Sequence, residues 1–429
     1  MFGYQFRCAL SVTIPRGWDG SGLPRHALLV LLGCGLLAVL GSRLCHADAE
    51  GNALQSTPSA SPPPPAVVEI EFRSPVGQKA PDGPVLGEAL VRYEDGSLLL
   101  QTADGQLWTL KQEDIKFCNE ASAPFVPMTS DQIYAQFKQE LPPGFAVHQT
   151  KHYVLIYNTS EVYVRWVAEL FERLHRNFYN YWRSKGWRLE EPRFPLVAVV
   201  FSNKASYLAY GQREIGDTAQ SMIGYYNMKT NRIVTYDLTG VDGLVPSGTR
   251  VSSDAVVRHI LSQPQAERTV ATIVHEAAHQ LAYNSGLQVR LADNPLWLSE
   301  GLAMFFESPD ANSSKGWGAI GKVNVHNLRL FAQYAANRPD DSLLTLISDD
   351  QRLRSGATAA QAYPESWALT YYLLTTRSRQ FVAYLQELAQ LPPLSDVPQR
   401  ERIETFKRHF GEDLGELDKQ LLAHFRRRP

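Results

Sequence analysis

The sequence predicts an α+β protein: a small antiparallel β module, then a larger region with a mixed sheet and a mainly helical C-terminal lobe. Three observations carry this. Short β-rich runs separated by Asp-Gly pairs occupy residues 67–118. Strand and helix patterns alternate from about residue 145 to Tyr236. Beyond Pro264 the apolar spacing is almost wholly helical.

In chain order, residues 1–49 are set apart from the fold. Arg7, Arg16 and Arg25 precede an apolar run from Ala27 to Gly41, about the length of a signal h-region and short for a membrane span. Small residues at Ala47 and Ala49 fit a signal-peptidase site, with cleavage after Ala49 expected and Ala47 as the other choice; an uncleaved N-terminal anchor is the competing reading. Either way the bulk of the chain is expected outside the cytoplasm: periplasmic, cell-surface or secreted. Leu31-Leu32-Gly33-Cys34 lacks the polar turn that a lipoprotein attachment site would show. Cys8, Cys34 and Cys45 fall in this segment, so processing leaves Cys118 alone and no internal disulfide.

Residues 50–66 form a Ser/Ala/Pro-rich linker ending in four prolines, which cannot bury a core. In the β module, strands are expected at Val67–Phe72, Glu88–Glu94, Ser97–Ala103 and Gln106–Lys111, the last three joined at Asp95-Gly96 and Asp104-Gly105. It offers no histidine, and its charges alternate with apolar residues as on a solvated sheet face. After a connecting helix at Asp131–Glu140, residues 145–429 give a strand at His152–Tyr157, a long helix at Glu161–Lys185, a strand at Pro195–Phe201 and a helix at Ala205–Glu214. Two strands follow within Gly224–Tyr236.

Composition bounds the function. Of 429 residues, 44% are hydrophobic and 20% charged, as in an ordinary globular protein. A net charge of −2 gives no field to hold a polyanion, and no nucleic acid partner is expected.

Chemistry concentrates in two helices. Gln265–Ser285 carries Val270, Ile273, Val274, Ala277 and Leu281 at helical spacing, with Pro264 suited to its first turn and Gly286 to its end. His275 and His279, four apart, stand on one face one turn apart, where one tetrahedral ion takes both nitrogens at about 2.0–2.1 Å. Glu276 lies about 100° round the helix, outside that ligand plane and suited to general-base work. A catalytic zinc site needs one further ligand and an open position. Glu300 supplies it from the apolar run Leu296–Ala303, since a carboxylate buried there needs a cationic partner. Asn294 and Pro295 read as cap and first turn, and Gly301 as the residue that lets the two helices close around the ion. Glu307, seven residues past Glu300, falls back on the same face, placed to accept from a ligating imidazole. The competing reading makes both histidines ordinary polar residues and Glu300 half of a buried ion pair. The conjunction of two apolar helices with these residues favours metal.

Val274-His275-Glu276-Ala277-Ala278-His279-Gln280, followed by Trp297-Leu298-Ser299-Glu300-Gly301-Leu302-Ala303, resembles the gluzincin clan of zinc metallopeptidases, which includes thermolysin and the aminopeptidase N-like enzymes. More closely it is similar to the bacterial peptidase-MA-like proteins, over residues from near Phe145 to the C-terminus, including the Val197–Tyr210 strand–helix unit and the Tyr363–Leu369 segment. The resemblance implies a gluzincin-like catalytic region with His275, His279 and Glu300 as Zn²⁺ ligands and Glu276 as catalytic base. It implies a hydrolase acting on a peptide or protein, more an endopeptidase than an exopeptidase. Ser299 departs from the Asn usual there in aminopeptidases, and no Gly-x-Met-Glu-Asn exopeptidase motif occurs. Zinc would activate water and polarise the scissile carbonyl while Glu276 carries the proton to the leaving amine.

A donor for the oxyanion is also needed. Tyr363 is the candidate, against the reading that a Tyr before Pro364 is a packed loop residue. The Gly224-Tyr225-Tyr226 strand is either a sheet edge that pairs with an extended substrate or a core strand. His152, His259, His326 and His409 lack ligand spacing and read as surface or packing residues, with His326 and Arg329 at the lip of a cleft after the Ser313–Gly321 loop as a further option. A non-catalytic, zinc-containing cell-surface binding protein is the alternative function, with membrane attachment through the N-terminal segment only.

Overall fold

The computed structural model describes residues 65–75, 79–240, 253–308 and 321–426. Residues 1–49, nearly all of the expected linker, Pro309 and most of the Ser313–Gly321 loop lie outside the described residues. Within them, no helix is long and apolar enough to cross a membrane.

The chain is α+β, with an antiparallel five-stranded sheet, a mixed five-stranded sheet and helices C-terminal to both. The first sheet contains β1 (Ala66–Phe72), β2 (Val85–Arg92), β3 (Leu98–Thr102), β4 (Leu107–Leu110) and β5 (Ile115–Glu120), in the order β4-β3-β2-β1-β5. The turns between β2 and β3 and between β3 and β4 fall at the two Asp-Gly pairs. Gly96 and Gly105 there take φ of 81° and 80°, the left-handed backbone a side chain would resist. β5 is an unexpected fifth strand. Its residues Ile115 to Glu120 are partly exposed, so it has no strong alternating pattern and exists because it pairs with β1.

The second sheet is built from β6 (Ala146–Gln149), β7 (Tyr153–Tyr157), β8 (Leu196–Phe201), β9 (Gly224–Asn227) and β10 (Arg232–Tyr236), in the order β6-β7-β8-β10-β9. β7, β8 and β10 run parallel; β6 and β9 are antiparallel edges. Side chains alternate between two cores: Leu155, Ala198, Val200 and Ile233 face one, while Ile156, Val197, Val199 and Val234 face the other. The second core is covered by α1 (Ser130–Glu140) and α3 (Lys204–Ile215), through Ile133, Phe137, Tyr207 and Tyr210. α1, which reads from sequence as a connector, is thus part of the mixed-sheet layer, and its Glu140 pairs with Arg232 on β10.

The first core is covered by α2 (Glu161–Ser184), α4 (Asp254–Leu261) and α5 (Pro264–Asn284), and continues into the helical lobe. That lobe comprises α6 (Leu296–Phe306), α7 (Val325–Ala335), α8 (Ser342–Ser348), α9 (Gln351–Arg354), α10 (Ala359–Thr376), α11 (Ser378–Leu388), α12 (Gln399–Phe410) and α13 (Leu414–Arg426). Buried Gln280 fixes α5 to the sheet, its Nε2 donating at 3.0 Å to the carbonyls of Val197 and Asn231.

The β module docks on this body at the Asp104-Gly105 turn. Arg290, in the connection between α5 and α6, donates to the carbonyls of Gly105 and Met228 at 2.8 and 3.2 Å. Leu107 N–H donates to the Lys229 carbonyl at 2.7 Å. The same contact surface therefore touches the β9–β10 turn and the link between the two helices of greatest chemical interest.

Candidate metal centre

α5 begins with Pro264 in its first turn, where the missing N–H costs nothing, and ends before Gly286, whose φ of 75° turns the chain away. His275 and His279 project from its buried face. The Nε2 atoms of the two rings are 3.1 Å apart. α6 brings Glu300 to the same point: its Oε2 is 3.2 Å from His275 Nε2 and its Oε1 is 3.7 Å from His279 Nε2. Two donors 2.0–2.1 Å from a tetrahedral ion stand about 3.3 Å apart, so this trio has the spacing of one coordination sphere. The donor set is two imidazole nitrogens and one carboxylate, with no cysteine in the group.

Glu307 sits at the C-terminus of α6 as expected, its Oε2 2.7 Å from His275 Nδ1. A carboxylate there accepts an Nδ1–H, the arrangement in which Nε2 is the ring atom that faces the shared centre. Glu307 Oε1 in turn accepts from Asn324 Nδ2 at 2.9 Å, and Asn324 also caps α7. Asn324 is not legible as a site residue, because nothing in its local sequence links it to Glu307.

Glu276 stands outside the three-donor group. It is 3% exposed, and its Oε2 accepts the N–H of Tyr226 on β9 at 2.8 Å. Burial pushes its carboxyl up to about 7, against the pull of His275 and the Tyr226 amide. Burial also raises Glu300, while at His275 burial is outweighed by Glu300 and Glu307, which raise it. His279 is lowered by burial and then by His275. These four buried groups, whose charges depend on one another, are a setting in which a divalent cation would be the largest local charge.

α6 differs from expectation at two points. Asn294 does not cap it: its Nδ2 donates to the carbonyls of Val289 and Ala292, and the first amide, Leu296 N–H, is instead met by Asp350 Oδ1 at 3.0 Å. Gly301 makes room for α10, not for α5. A Cβ there would lie 2.7 Å from the Ser366 carbonyl oxygen and 2.1 Å from Thr370 Oγ1. Ser299, the departure noted in the motif, accepts from Gln288 Nε2 at 2.8 Å.

β9 is at an edge of the sheet, and its Tyr225 and Tyr226 are buried in the core. Tyr363 is helical, not a loop residue. It is buried on α10, the helix packed on the one carrying Glu300. His326 lies 3.3 Å from Arg268 and is lowered to about 4 by burial, then by Arg268; Arg329 is exposed on the same helix. His259 is exposed, and His409 pairs with Glu387 at 2.6 Å. His152 is a packing residue: it stacks on His175, with Glu191 alongside.

Residues 269–395 match a protein family described as "Protein of unknown function (DUF1570)". The matched stretch begins in α5, passes beyond α11 and includes His275, Glu276, His279, Glu300, Glu307 and Tyr363. A comparison with curated protein sequences finds no match.

Proposed function

We propose that this chain is an exported zinc-dependent metallopeptidase of the gluzincin type, acting as an endopeptidase on peptide or protein substrates. The observation that carries the reading is the convergence of His275 Nε2, His279 Nε2 and one carboxylate of Glu300 within 3.1–3.7 Å, beside a buried Glu276 that is not a member of the trio. A borderline ion such as Zn²⁺ suits an N₂O donor set, and three protein ligands leave the open position that catalytic zinc sites keep. A bound zinc ion supplies Lewis acidity toward water and toward a carbonyl oxygen.

His275 and His279 hold their rings by packing on α5, and Glu307 keeps the His275 tautomer that ligation needs. Glu276, anchored at Oε2 by the Tyr226 amide, has Oε1 to receive the proton of the attacking water and return it to the leaving amine. The Tyr363 hydroxyl is the proposed donor to the developing oxyanion. Because the Tyr226 N–H is already engaged, an extended substrate would use only the remaining edge of β9. Export rests on the Arg-flanked apolar run from Ala27 to Gly41.

The test is a proteome-derived peptide library incubated with the chain lacking residues 1–49. Cleavage at internal bonds that disappears in Glu276→Gln, while that variant keeps its zinc, supports the reading. Zinc bound without cleavage of any library peptide overturns it in favour of a non-catalytic binding protein.

A further inference from the structure

A second cluster gathers around α2, apart from the residues of the sequence motif. His152 precedes β7, His175 is on α2, and Glu191 is in the connection from α2 to β8. One donor atom from each falls within 4.8 Å of the other two. We propose that His152, His175 and Glu191 form a second, separate site for a borderline divalent ion of the zinc class.

The His175 ring is fixed between two others, stacked on His152 at 3.7 Å between centroids and on Tyr179 at 4.5 Å. Its residue is only 5% exposed, and its buried Nε2 has no hydrogen-bond partner. A buried imidazole nitrogen left unpaired is costly, so it points to an occupant. The nearest charged oxygen, Glu191 Oε2, is 3.7 Å away. That is too far for a hydrogen bond, but it equals the His279–Glu300 separation in the first centre.

The second cluster also repeats the supporting arrangement of the first. Glu172 Oε2 lies 2.7 Å from His152 Nδ1, as Glu307 does from His275, and is itself held through Oε1 by Thr150 Oγ1 and the His152 amide. With Nδ1 committed, His152 offers Nε2 to an ion. The His152 side chain is 17% exposed against 6% for His175, so the His152 side of the stack is the one open to an arriving ion. Glu191, 71% exposed, is the donor that exchanges with water. The ion would tie three separate segments together: the start of β7, the body of α2 and the approach to β8. The site shares no residue with the His275 centre and does not rest on the proposed activity.

Zinc sulfate titrated into the untagged chain tests this by native mass spectrometry and calorimetry. The proposal expects two ions per chain, with one remaining in the His275→Ala/His279→Ala double variant. His175→Phe, which keeps an aromatic ring in the stack, should remove that remaining ion. Glu191→Gln, at an exposed position that leaves folding intact, should weaken it at least tenfold. The proposal is overturned if the double variant binds no zinc, or if its ion is indifferent to both His175→Phe and Glu191→Gln.

Discussion

Gly301→Ala probes how Glu300 is held. The new Cβ would meet the Ser366 carbonyl oxygen at 2.7 Å and Thr370 Oγ1 at 2.1 Å. A carbon–oxygen contact relaxes to about 3.3 Å or more, so α6 and α10 must part by about 0.6 Å, because a main-chain carbonyl cannot rotate aside. Replacing a helical glycine gains about 1 kcal/mol of propensity, while overpacking costs about 1–3 kcal/mol. With backbone on one side of the clash the upper part of that range applies, for a net loss of about 1–2 kcal/mol. In a domain of this size that lowers the unfolding midpoint by about 2–8 °C. The shift also reaches the adjacent Glu300, and metal–ligand distances tolerate only about 0.2 Å; zinc affinity should fall about tenfold or more. Thermal unfolding by circular dichroism and zinc titration against a chelating dye read the two effects. Adding Thr370→Ala should restore only part of the loss, since the Ser366 carbonyl remains. A Gly301→Ala variant that melts no lower than wild type and binds zinc equally well would refute the claim that the α6–α10 spacing positions Glu300.

Other expectations follow from the same contacts. Glu307→Gln should lower zinc affinity about 10–100-fold without loss of helix content, because the carboxylate that accepts from both His275 Nδ1 and Asn324 Nδ2 becomes a neutral amide with one acceptor; equilibrium dialysis checks it, and unchanged affinity would remove Glu307 from the site. Glu365, fully buried between Arg338 and Arg352, should cost about 3–5 kcal/mol when changed to Ala, since Arg352 loses its carboxylate and Arg338 is left with Asp418 alone, and chemical denaturation measures this. Burial pushes the Asp104 carboxyl up, but donors from Thr102 and Gln136, the Arg232 charge and a donor from Gln106 together more than reverse this, so its folded pKa is lowered. A lowered folded pKa stabilises above the unfolded value of about 3.9 and is lost as pH falls through the folded one. Asp104→Asn should therefore flatten the acid limb of stability against pH; an unchanged limb would contradict the assignment. Tyr363→Phe should reduce kcat while leaving zinc content unaltered, and equal kcat would exclude it as the oxyanion donor.

What the sequence discloses and what it hides divide along one physical line. His275, Glu276 and His279 are legible because helical spacing determines which of them share a face; Glu300 and Glu307, on α6 and at its cap, are legible through their own seven-residue spacing and the need of a buried carboxylate for a cation. The hairpins of the β module are legible because Asp-Gly admits few other conformations. Contacts between distant segments leave no such mark. β5 is a strand through its pairing with β1 and shows no pattern of its own. Gly301 reads toward α5 but packs on α10, since a glycine announces a close approach without naming the partner. Asn294 has the composition of a cap, but the amide it would meet is taken by Asp350, more than fifty residues later. His152, His175 and Glu191 have spacings of no known ligand pattern, and only the packing of α2 on β7 gathers them.

The central claim is that His275, His279 and Glu300 bind one zinc ion. Its most direct test is a crystal grown with zinc sulfate and an anomalous-difference map at the zinc absorption edge. The account predicts a peak about 2.0–2.2 Å from His275 Nε2, His279 Nε2 and a Glu300 oxygen. Full zinc occupancy elsewhere with no peak at this trio would contradict it.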